Sequence, residues 1–237
     1  MNRIDYNTFV AKLTKEHPLD EAMELAVGGQ FDAMGQLQKD LLTASGLKPE
    51  HSVVDVGCGS GRLAKQLEGY LTGRYLGIDV VPTLIDYARS HCQRQDWRFE
   101  VAGDLHIPAE DNFAEMVCFF SIFTHLRHEE SYLYLEEAKR VLKPKGKVVF
   151  SFLEFLIPSQ WHVFEIDLRN RSADVPINQF LSRDAITAWA AHLGFEVEAF
   201  HDGDKPHIPL SKPVTLIGNQ TFEDCGLLGQ SVCILSA

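Results

Sequence analysis

A turn and three acids carry most of this chain's chemical potential. Val53-Val54-Asp55-Val56-Gly57-Cys58-Gly59-Ser60-Gly61-Arg62-Leu63 reads as a buried strand, a tight turn and the start of a helix. Glycines at 57, 59 and 61 strip Cβ atoms from one side of the turn. Backbone can then approach a ligand closely, and the following helix offers its free N–H groups. The pattern suits a nucleotide-type ligand. A second apolar run, Arg74 to Val80, carries Asp79 near its end, 24 residues after Asp55. A carboxylate at a strand tip can accept both hydroxyls of a ribose. A third run, beginning at Phe99, reaches Asp104 after another 25 residues. The dinucleotide fingerprint G-x-G-x-x-G/A fits Gly57 and Gly59 but fails at its third position, which is Arg62. A dinucleotide also brings an anionic pyrophosphate, whereas the acidic Asp55 suits a cationic ligand.

The pattern D-x-G-x-G-x-G over Asp55–Gly61 resembles motif I of the class I S-adenosylmethionine (SAM) dependent methyltransferases. The joint spacing of Asp55, Asp79 and Asp104 carries the resemblance further than the glycines alone. It implies an α/β, Rossmann-like class I methyltransferase fold. That fold is a seven-stranded, mostly parallel sheet in the order 3-2-1-4-5-7-6 with helices on both faces. It implies SAM as cofactor, leaving as S-adenosyl-L-homocysteine. By the same resemblance Asp55, Gly57, Cys58, Gly59 and Gly61 hold the methionine end, and Asp79 holds the ribose with Val80 beside the adenine. Asp104 and Leu105 address the adenine edge, and Phe120 and Ser121 line the transfer site.

Methyl transfer from a sulfonium is an in-line displacement at carbon that needs chiefly proximity and alignment. A base is required only where the acceptor must first lose a proton. Enzymes that methylate exocyclic base nitrogens or glutamine amides carry Asn/Asp-Pro-Pro-Tyr/Phe after the fourth strand. This chain has Phe120-Ser121-Ile122-Phe123 there, which argues against that subclass. His125 follows closely and is the candidate general base, since a histidine near neutral pKa can take a proton from a hydroxyl or ammonium. The plainer reading is that it packs the turn. His162 and His207 are lesser candidates, read first as loop residues. Trp161 and Phe164 could line an acceptor pocket or simply pack. Cys58 stands where a small residue is needed, with a nucleophilic role as the other reading. The expected function is SAM-dependent methyl transfer to a small-molecule acceptor at oxygen or nitrogen. The alternative is a SAM-binding regulatory or scaffold protein without transferase activity. A nucleotide-dependent oxidoreductase is disfavoured by Arg62.

The elements that must position these groups follow from periodicity. Residues 5–46 read as helical, with Met34, Leu37, Leu41 and Leu42 at helical spacing and Gly46 as the stop. Ala26-Val27-Gly28-Gly29-Gln30-Phe31 interrupts that stretch, either as a plain helix–helix turn or as a flap with Phe31 over the cofactor. Strands are expected over 52–56, 74–79, 97–102, 115–121 and 147–153, and helices over 61–71, 82–93, 129–142 and 182–193. Alternation of the two implies a parallel sheet. Lys143-Pro144-Lys145-Gly146 turns the chain into the fifth strand, and two further strands lie over 194–200 and 230–235.

The 237 residues are expected to form one domain: a helical cap over 1–46, a cofactor-binding core over 50–200, and a substrate-side loop with the last strand over 202–237. Segments 154–181 and 202–229 are the expected places for the acceptor site. A net charge of −11 and the lack of a basic run make nucleic acid an unfavoured partner. Five cysteines without a C-x-x-C pair argue against a disulfide framework and a zinc site, and no metal is expected. No run is long and apolar enough for a membrane span, and the reading is of a cytoplasmic protein.

Overall fold

The computed structural model describes residues 5–169 and 178–237. Three helices come first: α1 (Tyr6–Glu16), α2 (Leu19–Ala26) and α3 (Phe31–Ala44). There follow β1 (Val53–Val56), α4 (Arg62–Leu67), β2 (Tyr75–Asp79), α5 (Pro82–His91), β3 (Arg98–Val101), β4 (Ala114–Phe119), α6 (His128–Val141) and β5 (Leu142–Phe152). Then come α7 (Pro158–Arg169), α8 (Arg183–Leu193), β6 (Glu196–His201) and four two-residue strands: β7 (Ile208–Pro209), β8 (Val214–Thr215), β9 (Thr221–Phe222) and β10 (Cys225–Gly226). The last is β11 (Ser231–Ser236).

Seven of the strands form one sheet in the order β3-β2-β1-β4-β5-β11-β6. Counting sheet members alone, this is the expected 3-2-1-4-5-7-6. Pairing is parallel from β3 through β5. β11 runs antiparallel to both β5 and β6. The order reverses at β1, which lies between β2 and β4. The crevice beyond the strand ends at such a switch point is where ligands bind in open α/β sheets. All four residues of β1 are buried, as a central strand covered on both faces requires.

The helical stretch expected over 5–46 is three helices: the interruption at Ala26–Phe31 lies between α2 and α3 as read, and a further break falls before Pro18. His17 is extended (φ −132°, ψ 155°) because a residue before proline is pushed out of the helical region, so α1 stops ahead of Pro18. α2 ends in a turn in which Gly28, Gly29 and Gln30 all take positive φ. Asp5 caps α1, its carboxylate accepting from the Thr8 N–H at 2.7 Å, and this cap places Tyr6 at the first helical turn. Val10 of α1 packs with Met23 of α2 and with Val81 and Leu84, fixing the helix pair beside the end of β2.

Lys143–Gly146 forms a bulge within β5 rather than a turn ahead of it: Ala114 pairs with Leu142, and Met116 already with Lys147. A second correction concerns 202–229. This segment packs on α3 and under the sheet, with Ile208 and Val214 joining Leu37, Val149 and Val232 in one core. The buried Asp40 carboxylate accepts from the Ser211 N–H at 3.2 Å and from Gln36, which anchors the segment to α3. No residue of this segment lines the cavity, which is reached by Gln230 just after it.

Candidate functional site

Beyond the ends of β1, β2 and β4 lies a cavity of about 350 Å³. Its floor is the glycine turn. Gly57 and Cys58 donate their N–H groups to the Ile78 carbonyl at 2.7 and 3.0 Å, closing the turn against β2. Gly57 has φ +73°, and a Cβ there would overlap the Ile122 side chain. Gly59 has φ +56°, and a Cβ there would press on Val27. Only glycine satisfies both the backbone and the space. Asp79 bridges this turn to the next: one carboxylate oxygen accepts from the Gly59 N–H and the other from the Val81 N–H, both at 3.0 Å. A carboxylate has about four acceptor sites, so ligand hydroxyls can still be accepted beside these backbone donors. Burial raises the Asp79 pKa, and the backbone donors oppose that rise.

Asp55 lies deeper, 2% exposed. Its carboxylate accepts from the Tyr75 hydroxyl at 2.7 Å and from the Cys118 thiol at 3.5 Å. Burial nevertheless pushes its pKa up to about 6, against the pull of those hydrogen bonds and of nearby Arg62. Arg62, the first residue of α4, turns its guanidinium to the same end of the cavity and donates to the Val27 carbonyl at 2.7 Å. Desolvation lowers its pKa, and Asp55 counters this. Acid and guanidinium thus face one end of a cavity otherwise walled mainly by apolar groups.

The roof comes from far away in sequence. Tyr6 of α1 lies 3.3 Å, hydroxyl to Nε2, from His125, with the two rings edge to face. Burial, with the charge of Asp79, pushes the Tyr6 pKa up to about 12, so its hydroxyl stays protonated. His125 stands in the short turn after β4, its N–H bonded to the Ile122 carbonyl at 2.9 Å. Ser121 precedes it with φ +61°, a left-handed conformation that costs a non-glycine residue. Two hydrogen bonds hold it: its N–H donates to the Ser151 hydroxyl at 2.8 Å, and its own hydroxyl donates to the Gln230 side-chain oxygen at 3.3 Å.

Of the residues expected from sequence, Asp55, Gly57, Cys58, Gly59, Asp79, Val80, Phe120, Ser121 and His125 all line this one cavity. Gly61, Asp104 and Leu105 do not. Gly61 is the N-cap of α4 and packs against Ala88. β3 ends at Val101, before Asp104, whose exposed carboxylate accepts from the His106 N–H at 3.3 Å. Ala102, Leu126 and Tyr134 form the wall at that end instead. Phe31 is also corrected: it opens α3 and faces a separate small crevice, while Val27 and Gly28 line the main cavity. The residues of this region that line the main cavity are thus those of the turn and Tyr6, not Phe31. Cys58 packs under β2 against Gly77, and burial raises its thiol pKa, which disfavours a nucleophile. His162 pairs with Glu165 on exposed α7, and His207 stacks on His201, both away from the cavity. Trp161 and Phe164 pack with Phe155 and Phe180 beyond β5. Sequence reasoning missed Tyr6, Arg62, Ile122 and Gln230. Arg62 alone had a local signal, its place directly after the last glycine of the turn.

The described residues contain no cluster suited to a metal ion, and no helix among them is long and apolar enough to cross a membrane. The sheet order, the glycine turn and the acid-tipped strands define a Rossmann-like methyltransferase fold. Residues 54–150 match the family described as the methyltransferase domain. The malonyl-[acyl-carrier protein] O-methyltransferase of Hahella chejuensis is 25% identical over 193 residues, covering 75% of this chain and 66% of that protein. A ubiquinone biosynthesis O-methyltransferase of Coxiella burnetii is 27% identical over 161 residues, covering 64% and 65% of the two chains. Among the relatives of known sequence, then, this chain spans just under two thirds of each of these two. A solved chain from the complex between the Haloferax volcanii Trm112 methyltransferase activator and a methyltransferase superposes with a TM-score of 0.67. It is 20% identical and covers 100% of this chain and 99% of that one. The matched domain, motif I and the strand order support a class I SAM-dependent methyltransferase, the specific member unresolved.

Proposed function

We propose that this protein transfers a methyl group from SAM to a small-molecule acceptor at oxygen or nitrogen. The observation that carries the reading is the convergence, on one cavity, of the glycine turn, Asp79, Asp55 and the Tyr6–His125 pair. SAM supplies an electrophilic methyl on a cationic sulfur. The chain's own residues account for the rest. Gly57 and Gly59 give backbone access, Asp79 offers acceptor sites to a diol, and Val80 and Ala102 flank an apolar slot. The acids at Asp55 and Asp79 favour a cationic ligand over an anionic one. The similarity to relatives named as O-methyltransferases supports an oxygen acceptor, hydroxyl or carboxylate, before an amine.

His125 is the group placed to take the acceptor's proton. With Nδ1 protonated, Nε2 accepts from Tyr6 and is held toward the cavity. An acceptor hydroxyl would replace Tyr6 as its partner. The test is methyl transfer from isotope-labelled SAM to a panel of phenols, carboxylic acids and amines, followed by mass spectrometry, with His125→Gln alongside. The proposal predicts turnover whose kcat/KM rises with pH as the base loses its proton, and loss of that dependence in His125→Gln. Tight cofactor binding without turnover on any acceptor would favour the binding-protein reading.

A further inference from the structure

Arg62 makes no ion pair among the described residues, although it is drawn into the wall of a cavity and desolvated there. A guanidinium has five N–H donors. One goes to the Val27 carbonyl at 2.7 Å. With the Gln38 amide oxygen turned toward it, Nη2 and Nε donate to that oxygen at 3.0 and 3.3 Å. Both acceptors are neutral, and two donors remain. Asp55 is near enough to raise the Arg62 pKa but is engaged by Tyr75 and Cys118 instead. The end of the cavity therefore presents one acid and one unpaired guanidinium, the complement of an amino-acid zwitterion.

Val27 and Gln38 are not passive partners. Val27 closes α2 and presses on Gly59, and the Ser60 hydroxyl donates to the Met23 carbonyl at 2.9 Å. Gln38 lies on α3 and is 2% exposed. Arg62 thus joins the glycine turn to both helices flanking the Gly28-Gly29 turn. We propose that Arg62 binds the α-carboxylate of the cofactor's methionine end, and that this contact pins α2 over the cavity. The inference rests on the SAM reading and adds to it a residue and a coupling. A carboxylate completes the guanidinium's shell and draws it inward; the Val27 carbonyl is carried with it, and the α1–α2 pair closes.

The experiment uses SAM and decarboxylated SAM, which share the sulfonium, ribose, adenine and amine and differ in the carboxylate alone. Calorimetric titration of wild type should give SAM an affinity about ten- to a hundredfold above decarboxylated SAM, the range for a charge-assisted pair. Arg62→Gln should lose that factor for SAM and bind decarboxylated SAM within about twofold of wild type. That retained binding also shows the variant is folded. Arg62→Lys, which keeps charge without the fork, should fall between. Hydrogen exchange supplies a second readout: SAM should slow amide exchange across Leu19–Ala26 in wild type, and saturating decarboxylated SAM should not. Equal losses for both ligands in Arg62→Gln would make Arg62 a structural tie and overturn the proposal. So would equal protection of α2 by both ligands. Failure of wild type to bind either ligand would instead overturn the SAM reading itself, and the present inference with it.

Discussion

Replacing Asp55 with asparagine should stabilise the ligand-free protein while weakening its hold on the cofactor. Burial pushes the Asp55 carboxyl from its ordinary 3.8 to about 6 in the folded chain. Between about pH 4 and pH 6 the folded state therefore binds more protons than the unfolded state, and stability falls as pH rises through that window. Above it, the buried charge costs roughly 3 kcal/mol, two units at about 1.4 kcal/mol each. The asparagine amide oxygen can still accept from the Tyr75 hydroxyl, but Arg62 loses an attracting neighbour, so the net gain at pH 7.5 is smaller, roughly 2 kcal/mol. For a chain of this length that is a rise of about 4–8 °C in Tm. The assay is thermal or urea unfolding of both proteins at pH 7.5 and pH 5. At pH 5 the folded state keeps Asp55 largely protonated while the unfolded chain still ionises it, so the gain should shrink to about half its value. In the same samples, S-adenosylhomocysteine affinity at pH 7.5 should fall at least about tenfold, as expected for losing an ionised partner. A variant less stable than wild type at pH 7.5, or a gain that ignores pH, would refute the reasoning.

Other substitutions probe the remaining contacts. Gly57→Ala puts a Cβ into Ile122 at φ +73° and should abolish measurable S-adenosylhomocysteine binding, with a stability loss of about 1–3 kcal/mol by urea unfolding. Tyr6→Phe removes the hydroxyl facing His125 while leaving the ring; steady-state kinetics should show a kcat fall of about two- to tenfold with the pH dependence retained. Phe123→Ala empties a fully buried site between Phe119 and Phe150, whose rings lie 4.8 and 4.9 Å away, and should cost about 3–5 kcal/mol in urea unfolding with cofactor affinity little changed in the folded fraction.

How much of this was legible in the sequence divides by distance along the chain. β1 and its turn were readable because one short segment carries both the apolar run and the glycines, and their chemistry is a matter of backbone. Asp79 was readable because a strand tip is a fixed place in this fold. Asp104 is not among the residues lining the cavity: the run reads as a strand to residue 102, yet β3 stops at Val101 and the acid stands exposed in the loop that follows. The 202–229 segment lacked helical or strand periodicity because it is irregular, and its burial under α3 depends on pairings such as Asp40 with Ser211 that no local pattern announces. Tyr6 and His125 meet across 119 residues, a contact set by how α1 packs on α2 and on the end of β2. Arg62 was in plain view, but it served only to exclude a dinucleotide; its positive role needed the cavity.

The account's central claim is that this cavity binds SAM through Asp79. Its most direct test is calorimetric titration of S-adenosylhomocysteine into wild type, Asp79→Asn and Asp79→Ala, each first checked for a cooperative unfolding transition. The account predicts one site per chain in wild type with micromolar affinity, a loss of at least about tenfold in Asp79→Asn, and a larger loss in Asp79→Ala, where the Gly59 and Val81 N–H groups lose their acceptor as well. A folded wild type that takes up no S-adenosylhomocysteine, or Asp79 variants that bind it as tightly as wild type, would contradict the claim.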